Sequence, residues 1–201
     1  MENLIRIYTK NDAISVLIRH SDRYCHSVMD NPRLNPQGII KAIELGRRFS
    51  NYKINKIITT DVDRCYETAE RIKEGHGGNI VLERSKNFGK LYYVDCDRDT
   101  AKEFLKQYGY DKYHELYKRM ISGIDTPGIC GVELYKKLMD DFIIDNTVNH
   151  GITVFVTHDI NIAYYHFGIN KTTYERLPDV ENLCGILLCN GRYVSDFQAE
   201  V

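Results

Sequence analysis

Short apolar runs at 13–18, 56–60, 80–82, 152–157 and 184–189 alternate with segments whose apolar residues recur at a helical spacing. A chain that alternates in this way buries both faces of its strands under helices, which restricts it to an α/β layered architecture with a mainly parallel sheet. The helical patterns fall at 36–51, 63–73, 132–145 and 160–167. The first has Pro36 in its opening turn and Asn35 before it as a cap. Asn190-Gly191 separates the strand at 184–189 from one at 192–195 and signals a tight hairpin. The stretch 88–131 is rich in Tyr, Lys and Asp, lacks a strong strand and carries a helical pattern over 98–121. It reads as a helical insertion, either a lid on the sheet edge or a surface elaboration. The expected fold is a three-layer α/β/α sandwich with a mainly parallel central sheet and a helical lid insertion. One domain is expected to span 1–201, since 201 residues with 43% hydrophobic content fill a single ordinary core.

Charge and composition narrow the function. A formal net charge of −1 gives no general attraction to nucleic acid or an anionic membrane, so any cationic site must be local. No apolar run reaches the length of a membrane helix, and Met1-Glu2-Asn3-Leu4-Ile5-Arg6 has no apolar signal core. A cytoplasmic location follows as the expectation. Six cysteines without a Cys-x-x-Cys pair are then expected to be free thiols, with Cys184 and Cys189 acting as small core hydrophobes. Most of the fifteen tyrosines are read as packing residues with the hydroxyl at the surface.

Three strand ends carry the chemistry. The first strand runs into Arg19-His20-Ser21-Asp22-Arg23. Cationic neighbours disfavour imidazolium, so His20 is expected to be neutral and nucleophilic while the arginines grip an anion such as a phosphoryl group. The second strand leads through Asp61-Val62-Asp63 to Arg64 on the first turn of a helix, and the third runs into His158-Asp159. Ligands of open parallel sheets bind at the carboxyl edge, so these ends converge if their strands are neighbours. Two histidines, up to three arginines and one carboxylic acid in one small space suit phosphoryl transfer. Taken singly, Arg64 also reads as an exposed helix residue and His158 as a core histidine bonded to a carbonyl.

In combination these segments resemble the histidine phosphatase superfamily, the phosphoglycerate mutase-like fold. Leu17-Ile18-Arg19-His20 resembles its Arg-His opening. Asn35-Pro36-Gln37-Gly38 through Ala42 and Leu45-Gly46 is similar to its first helix, Thr59 through Glu70 to its segment with Arg and Thr-Ala, and Val156-Thr157-His158-Asp159 to its second histidine motif. The resemblance implies His20 as the phosphoryl acceptor, with Arg19, Arg64 and His158 forming the phosphate pocket. Arg23 would also hold phosphate, as in the acid phosphatase branch, although Ser21 and Cys25 stand where that branch has Gly and Pro. In the mutase-like branch the general acid is a glutamate ahead of a Phe-Gly segment. Asn87-Phe88-Gly89 matches the segment, but Ser85 occupies the acid's place. The acid phosphatase branch uses the residue after the second histidine, which assigns the role to Asp159; helix capping is that residue's alternative task. Asp22 and Glu83 are outside candidates.

The expected activity is therefore a metal-independent phosphomonoester hydrolase acting through a phosphohistidine intermediate. A phosphotransferase or mutase of the same fold and a catalytically idle phosphate-binding domain are the alternatives. No cofactor is expected, and a metal site from His20, His26, His158 and Asp159 is disfavoured because the arginines would repel a cation. The expected partner is a small phosphorylated substrate or a phosphopeptide, with Lys86, Lys90, Tyr92 and Tyr93 near the entrance. The sequence sets no oligomeric state.

Overall fold

The structure, a computed structural model, describes residues 12–24, 31–96, 98–108, 118–120, 122–171 and 180–199. Cys25, His26 and the middle of the pattern at 98–121 lie outside these residues. In chain order the elements are β1 (Ala13–Arg19), α1 (Pro36–Arg48), β2 (Ile54–Thr60), α2 (Asp63–His76), β3 (Val81–Ser85), α3 (Asp99–Tyr108), α4 (Val132–Asn146), β4 (Gly151–Thr157), α5 (Asp159–Asn170), β5 (Gly185–Cys189) and β6 (Arg192–Phe197). Short 3-10 turns at Phe88–Lys90 and Val94–Cys96 follow β3.

Six strands form one sheet in the order β3-β2-β4-β1-β5-β6. Neighbours among β1 to β4 run parallel, whereas β5 pairs antiparallel with both β1 and β6. Strand β4 is thus inserted between β1 and β2, which places the ends of the three motif-bearing strands side by side. The buried strands lack a polar face because helices cover both sides. Val16, Ile18, Ile57, Val154 and Val156 pack against Ala42, Leu45, Ala69 and Ile72 of α1 and α2. Leu17, Ile58 and Phe155 pack instead with Tyr135, Met139, Ile143, Ile162 and Tyr165 of α4 and α5. These are the expected three layers.

Local signals explain the boundaries. Asn35 caps α1 by accepting from the Gly38 amide at 2.7 Å, with Pro36 following. Asn190 and Gly191 have φ of 50° and 74°, the paired positive values of a two-residue hairpin turn. The segment after β3 is a structural part of the α4/α5 layer as well as an insertion. Phe88, Tyr92, Tyr93, Ala101, Met120 and Ile129 are all in that core.

Two expectations fail here. Tyr92 and Tyr93 are buried at 7% exposure each and line no entrance, while Lys90 pairs with Asp61 at 3.4 Å. The tyrosine hydroxyls are also not uniformly at the surface. Tyr135 donates to the Asn161 carbonyl at 3.0 Å, Tyr164 to the Cys130 carbonyl at 2.9 Å and Tyr165 to Asp140 at 2.6 Å. A buried phenol keeps its hydroxyl satisfied through such partners, which periodicity does not reveal.

Helices α1 and α2 meet at Gly46, where a Cβ would lie 2.1 Å from the Ile72 carbonyl oxygen. Since that obstacle is backbone, Gly46→Ala must force the helices apart. We expect it to lower unfolding free energy by about 1–3 kcal/mol in urea titration, the usual cost of overpacking.

Candidate active site

The sheet order brings His20, Arg64 and His158 to adjacent strand ends, with His158 in the middle on β4. His20 continues the β1 ladder, its amide donating to the Thr157 carbonyl at 2.9 Å. Its side chain is 3% exposed. His20 Nδ1 lies 2.8 Å from the Ser21 carbonyl oxygen, and Nε2 receives a hydrogen bond from Arg64 Nε at 3.0 Å. A carbonyl only accepts and a guanidinium only donates, so the ring proton is on Nδ1 and the lone pair on Nε2. The second arm of Arg64, Nη2, donates to His158 Nδ1 at 3.3 Å. The two imidazoles stand edge to face with centroids 5.5 Å apart.

Both histidines are held in the neutral form. Burial pushes the His20 pKa well below its ordinary value, and His158, Arg64 and Arg19 add to the effect. The His158 pKa is also lowered, by loss of water and then by Arg64, Arg19 and Arg23. His158 as a residue is half-buried, and the three guanidinium charges act in the same direction as the loss of water.

Arg19 donates to the Val180 carbonyl at 2.7 Å through Nη1 and pairs with Asp159 at 3.1 Å through Nη2. Its Nε is buried and has no hydrogen-bond partner among the described residues. Arg23 sits on the loop between β1 and α1, where its Nη1 donates to the Tyr24 carbonyl at 3.3 Å and its charge bears on Arg64 and His158. Asp159 begins α5, with one carboxylate oxygen accepting from the Ile160 amide at 2.8 Å and the other on Arg19. Its helix-terminal contact and its place at the cluster therefore coexist.

The outside candidates stand elsewhere. Asp22 is taken up by Lys41 at 2.9 Å and by Asn182, and Glu83 pairs with Lys56 at 2.7 Å along the β2–β3 edge. Ser85 ends β3 opposite Thr60, where its hydroxyl accepts from the Phe88 amide at 3.2 Å. No three His, Cys, Asp or Glu side chains converge as a metal site among the described residues.

Several supporting residues escape a reading by chemistry alone. Thr68 accepts from the Ser21 amide at 3.0 Å and donates to the Arg64 carbonyl at 2.7 Å, tying the loop that follows His20 to the helix that carries Arg64. The fully buried Ser21 hydroxyl donates to the Gly38 carbonyl at 2.8 Å. Gly38 lets α1 reach this loop, because a Cβ there would lie 2.0 Å from the Asp22 carbonyl oxygen. Glu67 accepts from the Leu34 amide at 2.9 Å and pairs with Arg33, and Leu34 bridges Arg23. Thr68 was visible as part of the Thr-Ala motif; Glu67 carries no sequence signal beyond its place in the same helix.

Comparison with known proteins agrees with this arrangement. Residues 16–181 match the family model of the histidine phosphatase superfamily, branch 1. No curated protein matches the sequence. Among solved structures, the chain is similar to a mycobacterial glucosyl-3-phosphoglycerate phosphatase (TM-score 0.64, 14% identity, covering 94% of this chain and 100% of that one). A phosphoglycerate mutase from Bacillus anthracis gives a TM-score of 0.61 at 17% identity, with 94% of each chain covered. A phosphoserine phosphatase from Entamoeba histolytica gives 0.60 at 19% identity, covering 93% of this chain and 98% of that one. The structural likenesses establish the phosphoglycerate mutase-like fold, and the family match over 16–181 makes this chain a member of the histidine phosphatase superfamily.

Proposed function

We propose that this protein is a metal-independent phosphomonoester hydrolase that works through a phosphohistidine on His20. The observation that carries the reading is the His20 ring itself: Nδ1–H is tied to a carbonyl at 2.8 Å, and the Nε2 lone pair faces a guanidinium at 3.0 Å. An incoming phosphate draws Arg64 and Arg19 onto its oxygens, and Arg23 and His158 complete the pocket, His158 by aiming Arg64 through its Nδ1 lone pair. Arg64 then uncovers the His20 lone pair that it faces. His20 Nε2 attacks phosphorus as the ester P–O bond breaks, and fixed cations stabilise the charge spread over the phosphoryl oxygens. Asp159, released from Arg19 and protonated from solvent, hands that proton to the leaving oxygen. Water then attacks the phosphohistidine, its proton returns to Asp159, the P–N bond breaks and inorganic phosphate leaves.

Guanidinium groups supply the positive charge that a metal would otherwise provide, and they would repel a cation placed among them. The substrate is a small phosphorylated molecule or a phosphopeptide. Cys65, Cys184 and Cys189, free thiols among the described residues, suit a reducing, cytoplasmic setting. Among the described residues no helix is long and apolar enough to cross a membrane.

Nitrophenyl phosphate hydrolysis in excess chelator tests the assignment. Wild-type protein should release phosphate and, on acid-free quenching, carry an alkali-stable, acid-labile phosphoryl group. His20→Ala should lose both by at least about 10³-fold, since covalent catalysis is removed. Phosphate release undiminished in His20→Ala would refute the nucleophile, and exchange between acceptors without release would indicate a phosphotransferase.

A second outcome concerns Asp159. Asp159→Asn should slow alkyl phosphates by about 10²-fold or more, while nitrophenyl phosphate, whose leaving group hardly needs a proton, loses far less. Equal losses would remove Asp159 from the acid role.

The lowered histidine pKa values give a third. Both imidazoles are expected to stay neutral as pH falls from 8 to about 6, so their ring NMR signals should not move over that range. The unfolded chain takes up protons near pH 6.5 that the folded site refuses, so stability should decline as pH drops below that value. Ring signals that titrate near pH 6.5 would contradict the burial argument.

A further inference from the structure

The catalytic reading uses the side of His158 that faces Arg64 and leaves the other side unexplained. On that side His158 Nε2 lies 3.4 Å from Thr60 Oγ1, the last residue of β2. The Cys65 sulfur is almost equidistant from the two ring nitrogens, 3.9 Å from Nδ1 and 3.8 Å from Nε2, and 3.7 Å from the Thr157 carbonyl oxygen. Thr60 and Cys65 are fully buried, and the Thr60 hydroxyl favours the charged form of the Cys65 thiol, as a donor to its sulfur would. Cys65 follows Arg64 directly in α2, so the helix that carries the guanidinium also carries the thiol behind its partner.

Donors and acceptors in this group can be ordered in only one satisfactory way. Arg64 Nη2 must donate to His158 Nδ1, which leaves the ring proton on Nε2, directed at the Thr60 oxygen. The Thr60 hydroxyl proton then goes to the Cys65 sulfur, and the Cys65 thiol proton goes to the Thr157 carbonyl. The thiol remains protonated throughout, because burial raises its pKa to about 12. Packing fixes the Thr60 rotamer that the chain needs. A Cβ at Gly89 would lie 2.9 Å from Thr60 Cγ2, so the threonine methyl rests on the Gly89 backbone while the hydroxyl turns toward the imidazole. Gly89 is held in turn by Phe88, which stacks on Phe142 at 4.8 Å.

We propose that Thr60 and Cys65 are positioning residues that lock His158 in its Nε2–H tautomer, so that the Nδ1 lone pair holds Arg64 over His20. The proposal rests on His158 and Arg64 being part of the phosphate site. In the opposite tautomer an N–H at Nδ1 would meet an N–H of Arg64, and the guanidinium would be driven off both histidines. The lock therefore keeps Arg64 where an arriving phosphate finds it. A buried cysteine behind an active-site histidine is in this role a hydrogen-bond link and not a nucleophile.

The test is the tautomer itself, read by long-range 1H–15N correlation of histidine-labelled protein at pH 7.5. Wild-type His158 should show the Nε2–H pattern. Thr60→Val preserves shape and removes the acceptor, and should shift the tautomer ratio toward Nδ1–H by about fivefold, as expected for the loss of one hydrogen bond. The kcat for nitrophenyl phosphate should fall by a comparable factor, with Thr60→Ser restoring both. Cys65→Ala should move the ratio in the same direction and Cys65→Ser should restore it. Wild-type His158 in the Nδ1–H form, or a folded Thr60→Val protein with an unchanged ratio, would overturn the proposal. The wild-type spectrum decides the first point even if every variant fails to fold. An Nε2–H form in a protein that releases no phosphate would support the lock and refute only the hydrolase reading.

Discussion

A single guanidinium, that of Arg64, donates to both His20 and His158, and much of the architecture serves to hold it there. Because a guanidinium cannot accept, its two contacts at 3.0 and 3.3 Å fix an unprotonated nitrogen on each ring. For one side chain to reach both rings, β1, β4 and β2 must be consecutive neighbours, as the sheet order makes them. The first turn of α2 must also sit over the end of β4. Thr68 secures that turn by joining the Arg64 carbonyl to the Ser21 amide. The close approaches at Gly38 and Gly46 bring α1 against the same loop and helix. The small residues of the motifs thus act on the site through backbone proximity, and the chemical residues depend on them for their separation.

Proton supply is distributed unusually across this pocket in the proposed reaction. At the β3 edge, Ser85 uses its hydroxyl to begin the following 3-10 turn. The carboxyl group that can serve lies on the opposite flank, at the start of α5, and is paired with Arg19. Substrate phosphate and Asp159 therefore compete for one guanidinium. That competition couples arrival of the phosphate to release of the carboxyl group, a link that a carboxyl group at position 85, on the far flank from Arg19, would not share.

The parts of this arrangement legible in the sequence were those with a period or a signature. Continuous apolar runs identified the strands, Asn35-Pro36 the start of α1, Asn190-Gly191 the hairpin, and the motif order the convergence of His20, Arg64 and His158. Thr60 and Cys65 were present in the same segment, yet their roles arise from distances across β2, β4 and α2 that no local pattern encodes. Most of the tyrosines were read as surface-directed because amphipathic residues usually are, and Tyr135, Tyr164 and Tyr165 depart from that reading. Their hydroxyls instead satisfy buried carbonyls and a carboxylate between α4 and α5. The Ser21 departure, which put the loop's path in question, is absorbed because its hydroxyl points away from the pocket to Gly38.

Electrostatics argue for an anion site without reference to kinship. Three guanidinium groups crowd two neutral imidazoles, and among the described residues the carboxylate paired with them is Asp159, itself 48% exposed. Burial lowers the pKa of Arg64 below the ordinary arginine range, with Arg23 and Arg19 acting in the same direction. Arg19 retains a buried Nε–H with no hydrogen-bond partner among the described residues. Such a cluster is costly to assemble, since desolvated like charges repel and an unmade hydrogen bond forfeits its hydration. A tetrahedral dianion can offset these costs together, by accepting from several donors and neutralising the repulsion among them. The same donors favour the transferring phosphoryl group more strongly still, because its charge spreads over the oxygens they address. The cost of assembling this cluster and the catalytic power proposed for it thus have one physical origin.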